Sequence, residues 1–265
     1  MRKRVLNIIV LLTTLLTVLG VSGCSKKANS NNLPTAKSLI SSGFNKGMTS
    51  GRFSNSISSK QMKESSTLNG YFKGTSLIDL DYSLTTKGKT QSETIWLTPD
   101  TAYFLLEENK GRWIKNAATG DNFDPDQVTR RFKTSSFKSL NKSLEKVALV
   151  KQNSNNYTVN YAGTSQDVWK SLNDLIVDTL NTPGTQNMEI VRMINAGQPK
   201  TVNITYTFDK QTKKLTKMVM KADFTINGQY EFNWKLNYDE LGQHSDLSIP
   251  ANIQKNAIDV RKQNK

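Results

Sequence analysis

Three runs of alternating apolar and polar residues near the end of the chain constrain its fold most. The last run has apolar side chains at every second position: Tyr230, Phe232, Trp234, Leu236 and Tyr238. This spacing places them on one face of a β-strand. An Asn-Gly pair at 227–228 separates this run from residues 218–226, and a third run lies at 202–208. Because Asn-Gly between alternating segments is a strong hairpin signal, the pattern predicts three consecutive antiparallel strands.

The first half of the chain shows the same alternation more faintly. Ile78, Leu80, Tyr82 and Leu84 alternate with polar residues, and a Lys-Gly-Lys turn follows at 87–89. Further strands are predicted at 94–97, 101–107 and 112–115. The segment 52–73 is rich in Ser, Thr and Gln and is predicted to form two more strands.

Helical spacing appears in three segments. Residues 36–48 follow Thr35, a candidate N-cap, and carry Leu39, Ile40 and Phe44 on one side. The other two apolar stripes are Phe137, Leu140, Leu144 and Val147, and Val168, Leu172, Leu175, Ile176 and Leu180. Strands, then helical insertions, then more strands predict one α+β domain over 36–258 with a large antiparallel sheet. Residues 259–265 are predicted to be a charged tail that frays.

Cys24 is the one cysteine of the chain and ends a segment with the parts of a bacterial export signal. Arg2, Lys3 and Arg4 precede an apolar stretch at 5–19, and Val21, Ser22 and Gly23 lead directly into the cysteine. This order resembles the bacterial lipobox. The resemblance implies a signal peptide at 1–23, cleavage before Cys24 and a diacylglycerol on its sulfur, followed by a polar tether to residue 35.

A transmembrane helix and an ordinary cleaved signal are the competing interpretations of this segment. The apolar stretch is shorter than the ~20 residues that span a bilayer. An ordinary signal needs no cysteine at its end. Two acyl chains give a stable anchor where one would be marginal. We therefore expect a protein held on the outer face of a bacterial cell membrane.

The chain is strongly basic, with 36 Lys and Arg against 22 Asp and Glu, a net charge of +14. On a tethered extracytoplasmic protein this favours anionic neighbours such as phospholipid headgroups or wall polymers, or reflects solubility alone. Nucleic acid is not an expected partner, since no nucleic-acid-binding motif occurs. Lys138, Lys142 and Lys146 recur every four residues and are candidate contacts to an anionic surface, although such a stripe is more often a solvated helix face.

No arrangement of residues typical of catalysis or metal binding was found in the sequence. His244 is the single histidine and follows the last predicted strand, where a solvated role is commoner than a catalytic one. Asp121, Asp124 and Asp126 lack the ligand order of an EF-hand, and Asp124 instead suits the cap of a helix starting at Pro125. Phosphate loops and dinucleotide fingerprints are also missing. The sequence predicts a non-enzymatic protein without cofactor or metal.

The aromatic hairpin provides the candidate ligand site. Its bulky residues could be a core packed under helices, or could line a cavity for an apolar ligand. The candidate cavity wall consists of Met218, Met220, Phe224, Tyr230, Phe232, Trp234 and Tyr238.

With its lipobox, polar tether, N-terminal helix, antiparallel strands, helical insertions and final aromatic hairpin, the chain resembles extracytoplasmic lipoproteins of the LolA/LppX type. Its ending, Asp246-Leu247-Ser248-Ile249-Pro250 and a short helix-like segment, is similar to that of uncharacterised lipoproteins of Gram-positive bacteria. The resemblance implies a half-open β-barrel whose concave face is covered by helices. It also implies binding or carriage of a hydrophobic or amphiphilic ligand. The alternative is a surface module whose basic exterior binds anionic wall polymer, phospholipid headgroups or a protein partner.

Overall fold

A computed structural model describes residues 33–106, 111–118, 125–180 and 193–260, without the side chains of Leu106, residues 125–127 and Leu180. From Pro34 onward the chain forms one compact unit. In the described residues the helices are α1 (Ala36–Asn45), α2 (Pro125–Arg130), α3 (Lys138–Val147), α4 (Gln166–Leu180) and α5 (Ala251–Asn256), with 3₁₀ turns at Thr134–Phe137 and Ile194–Ala196.

The strands form one open sheet, so the predicted α+β fold with a large antiparallel sheet is confirmed. They are β1 (Gly51–Ser59), β2 (Glu64–Lys73), β3 (Leu77–Thr86), β4 (Lys89–Leu97), β5 (Thr101–Leu106), β6 (Trp113–Ala117), β7 (Leu149–Gln152), β8 (Asn156–Gly163), β9 (Gly197–Asp209), β10 (Leu215–Ile226), β11 (Tyr230–Asp239) and β12 (Ile258–Asp259). Their order is β12-β6-β5-β4-β3-β2-β1-β11-β10-β9-β8-β7. Every pair is antiparallel except β12 with β6.

Tight turns set the register of the hairpins that the sequence predicts. Asn227 and Gly228 both have positive φ, 53° and 68°, as a type I′ turn requires. Met218 then pairs with Tyr238, and Phe224 with Phe232. Lys87 and Gly88 make the corresponding turn between β3 and β4. Strand β4 begins at Lys89 and not at the predicted residue 94, because the polar residues 89–93 also pair with β3.

A long-range pairing joins the two halves of the sheet. The two halves meet where β1 lies beside β11. From this junction, β1 to β6 follow one another outward on one side, and β11 to β7 follow one another outward on the other. At that junction β1 pairs with β11, with Phe53 opposite Tyr238 and Ile57 opposite Trp234. The pairing aligns the apolar positions of both halves on one face, which is the inner face of the sheet.

Helices α1, α3 and α4 pack on this inner face. The Thr35 hydroxyl accepts a hydrogen bond from the Ser38 N–H at 3.1 Å, as predicted for the N-cap of α1. This helix ends at Asn45 rather than 48, before Gly47, whose φ of 70° is left-handed. Phe44 on α1 contacts Tyr206 on β9, with ring centroids 5.5 Å apart.

Two predictions for the second apolar stripe, which runs from Phe137 to Val147, differ from the structure. Phe137 lies in the 3₁₀ turn that precedes α3. Val147 ends α3 and is 46 % exposed, whereas Leu140 and Leu144 are buried. The reason is positional, since the last residue of a helix can extend past the surface on which the helix packs. Strands β7, β8 and β12 were not predicted, and β12 includes Asp259, the first residue of the predicted tail.

Candidate functional site

The structure places the predicted cavity-wall residues on the inner face of β10 and β11. Met218, Met220, Phe224, Phe232, Trp234 and Tyr238 are buried, and Tyr230, beside the hairpin turn, is half-buried. They are covered by the helical layer: Phe137 contacts Tyr238 at 5.9 Å between ring centroids, and Trp169 of α4 contacts Phe224 at 5.2 Å. The structure therefore brings these residues together at the interface between helices and sheet. Their role as a ligand wall stays a prediction.

Polar side chains lie in the same interior, and all of them except Trp234 fall outside the predicted site. Asn55, Ser66, Trp234, Asn173 and Arg131 are all buried. Each has at least one side-chain polar atom without a hydrogen-bond partner: Asn55 Oδ1, Ser66 Oγ, Trp234 Nε1, Asn173 Oδ1, and Arg131 Nη1 and Nη2. Buried polar atoms are almost always paired in folded proteins, so each such group requires an explanation, such as an ordered water or a ligand.

The strand register places Trp234, Ser66 and Asn55 in two adjoining rows of the sheet. Ile57 on β1 pairs with Trp234 on one side and with Ser66 on the other, so the three side chains form one row. Asn55 is in the adjoining row, opposite Leu236 and Leu68. Asn55 Nδ2 donates to the Thr179 carbonyl at 3.1 Å, which places the end of α4 directly over these rows. Alternation with Phe53 and Ile57 was the signal that could have identified Asn55 as inward-facing.

Arg131 lies in the turn after α2 and is 1 % exposed. Its Nε donates to the Val128 carbonyl at 3.0 Å, and its own carbonyl accepts from the Tyr238 hydroxyl at 2.9 Å. Tyr238 pairs with Phe53, so Arg131 sits above the row next to that of Asn55. Burial lowers the pKa of the guanidinium to about 10, which still leaves it charged at neutral pH.

The predicted lysine stripe lies on the solvent side of α3. Lys138, Lys142 and Lys146 are exposed. Beside the end of this stripe are Val147, 46 % exposed, and Leu149, 68 % exposed, which are exposed large hydrophobic residues of the described chain. Leu149 begins β7, the strand at one edge of the described sheet. Lysines with adjacent apolar side chains are typical of contacts with an anionic membrane surface.

His244 belongs to a network of polar and charged side chains at the outer face of the sheet. Its Nε2 is 2.6 Å from Glu240 Oε2, and its ring lies 4.8 Å from that of Tyr71. Arg52 forms two hydrogen bonds to Asp239, at 2.9 and 3.0 Å, and lies 3.4 Å from Glu240. The Ser50 hydroxyl accepts from the backbone N–H of His244, not from its ring. The network ties the loop after β11 to β1 and β2.

A polar groove lies beside this network. It is lined by Arg52, Ser54, Asn69, Asp79 and Asn237, among others. Burial, with a smaller contribution from the charge of Asp81, raises the pKa of the Asp79 carboxyl to about 6. The Asp239 carboxyl behaves oppositely, because the hydrogen bond from Arg52 lowers its pKa.

Several predicted features lie outside the described residues. They are Cys24, the lipobox residues Val21, Ser22 and Gly23, the residues Asp121 and Asp124, and the side chain of Asp126. Across the described parts of the chain, no group of three or more His, Cys, Asp or Glu residues is placed to hold a metal ion. None of the described helices combines the length and the apolar character needed to cross a bilayer.

Comparison with known proteins gives one family. The model of DUF6612, a family of unknown function, matches residues 43–258. The match covers the sheet from β1 to Ile258, including the inner-face polar residues and the aromatic hairpin. No curated protein matches the chain.

Proposed function

Because the chain belongs to DUF6612, whose function is unknown, membership supplies no activity, and we propose a function from the chain itself. The protein is a non-enzymatic lipoprotein of the outer face of a bacterial cell membrane, and it binds or carries an amphiphile between its sheet and helices. The lipobox residues Val21–Cys24 support the location. The LolA/LppX-type resemblance supports the ligand class.

One observation of the structure carries this proposal. The inner face of the sheet is apolar over β9–β11. It also contains Asn55 on β1, Ser66 on β2 and Trp234 on β11, whose buried polar atoms lack protein partners. A purely structural core gains nothing from such atoms, because each one loses its hydrogen bonds to water on folding. An amphiphile matches this surface, because its apolar chain can contact the apolar residues and its headgroup can bond the unpaired polar atoms.

The test is to purify residues 25–265, which lack the anchor cysteine, and to analyse them by native mass spectrometry and solvent extraction. A reproducible co-purifying lipid, or uptake of added lipid at a fixed ratio, is the expected result. A clean apo mass that does not change on adding lipids of several classes would contradict the proposal.

A second candidate function rests on the surface of α3. Lys138, Lys142 and Lys146 lie beside the exposed Val147 and Leu149, and this combination favours binding to phosphatidylglycerol headgroups or anionic wall polymer. Changing the three lysines to Glu should abolish salt-sensitive binding to anionic vesicles and polymer. The matched control changes Lys60, Lys63 and Lys87, exposed lysines at the hairpin turns, to Glu. Equal losses in both triple variants would mean that only net charge matters.

A further inference from the structure

Among the five buried residues with unpaired polar atoms, Arg131 is the one whose side chain carries a full charge. It is 1 % exposed, and only Nε has a hydrogen-bond partner, the Val128 carbonyl. Nη1 and Nη2 are buried and have none. A guanidinium that leaves water without a compensating anion is costly to the fold, so a purely structural role would favour an apolar side chain of similar size.

Asp178 is the acidic residue that interacts electrostatically with Arg131, but it does not neutralise the guanidinium charge. Its carboxylate is 39 % exposed and lies 3.9 Å from Arg130 Nη1. Tyr238 uses its hydroxyl on the Arg131 carbonyl and leaves the guanidinium free. Within the described residues, the guanidinium therefore presents its two Nη groups to no protein acceptor.

The surroundings of Arg131 suit the rest of an amphiphile. The next residue, Phe132, stacks on Phe72 at 4.4 Å between centroids and meets Phe53 at 4.9 Å. An apolar chain whose head lies at Arg131 would thus begin beside an aromatic cluster. Asn55 Oδ1, in the adjoining row of the sheet, can accept a hydrogen bond from a hydroxyl group of the head.

We propose that the ligand is an anionic amphiphile whose carboxylate or phosphate headgroup is bound by the Nη groups of Arg131. Guanidinium matches both headgroups through two parallel N–H···O bonds. This inference rests on the proposed function, since it names the class of amphiphile that the same interior takes.

The experiment compares three probes with one chain, oleate, oleyl phosphate and oleyl alcohol, in residues 25–265. The wild type should bind at least one of the two anions about tenfold or more tightly than the alcohol. The stronger of the two identifies the headgroup as carboxylate or phosphate. Arg131→Met should lose this preference while it binds the alcohol as before, and Arg131→Lys should retain part of it. Arg130→Met is the matched control, because Arg130 is adjacent but exposed, and it should behave as the wild type.

The unfolding midpoint of the ligand-free protein provides a second measurement. Arg131→Met should raise it, since the substitution removes an unpaired buried charge. A lowered midpoint or failure to fold, with the anion preference unchanged in Arg131→Lys, would show that Arg131 is structural and overturn the inference. If the wild type binds all three probes equally, the inference fails and the proposed function stands. If it binds none, both fail.

Discussion

At the scale of single residues, the inner face of the sheet contains both tightly packed and unsatisfied groups, and Trp234 is both. Its ring is fully buried while its Nε1 has no partner. If the ring is packed core, Trp234→Ala should lower the free energy of unfolding by roughly 3–5 kcal/mol, as large-to-small core changes do. Denaturant unfolding measures the change.

The companion variant Trp234→Phe separates the ring from its polar atom. It keeps most of the apolar area and should cost much less stability than Trp234→Ala. If Trp234→Ala costs almost nothing but alters lipid uptake, the residue lines a cavity instead of filling a core.

Asp79 on the outer face predicts a pH dependence. Its folded pKa of about 6 lies above the ordinary 3.8, so the folded state binds this proton more tightly than the unfolded state. The resulting stabilisation is present below about pH 4 and is lost as the pH rises through 6. Asp79→Asn imitates the protonated form, so it should stabilise the protein at pH 7 and make little difference at pH 4. Thermal unfolding of both proteins across this range measures it, and an advantage that is the same at both pH values would contradict the assignment.

At the scale of elements, β2 and β3 approach each other closely at Gly70. A Cβ on Gly70 would lie 1.9 Å from the Asp79 carbonyl oxygen, a contact that no side chain makes. Gly70→Ala should therefore push the strands apart and destabilise by roughly 1–3 kcal/mol or more, as overpacking does. The control is Asn69→Ala, an exposed neighbour on the same strand, and equal unfolding midpoints for the two variants would argue against the clash.

The hairpins and the helices differ in how well they could be predicted. Hairpin β10–β11 follows from alternation and Asn227-Gly228, which act over neighbouring residues. The exposure of Val147 does not follow from its place in an apolar stripe, because that stripe predicts only which side of the helix is apolar. Strands β7 and β8 were missed, although Tyr157, Val159 and Tyr161 alternate and are buried on β8.

At the scale of the whole molecule, the proposed lipid anchor predicts where the protein acts. Cys24→Ala removes the sulfur that would be acylated, so precursor should accumulate uncleaved and incorporation of labelled fatty acid should be lost. The measurement is labelling of cells followed by isolation of the protein, with Ser25→Ala as the control that keeps the cysteine. Labelling of the Cys24→Ala variant at the wild-type level would remove the basis for the membrane location.

By itself, the sequence determined the parts of the molecule that depend on neighbours along the chain. Alternation and turn residues predict most strands of the sheet, and Thr35 predicts the start of α1. Tertiary structure decided the pairing of β1 with β11, which brings Arg52 to Asp239 across 187 residues. It also decided that Asn55, Ser66 and Arg131 point into the interior without full partners. No local pattern encodes these facts, because burial and hydrogen bonding depend on which distant segments meet when the helices pack on the sheet.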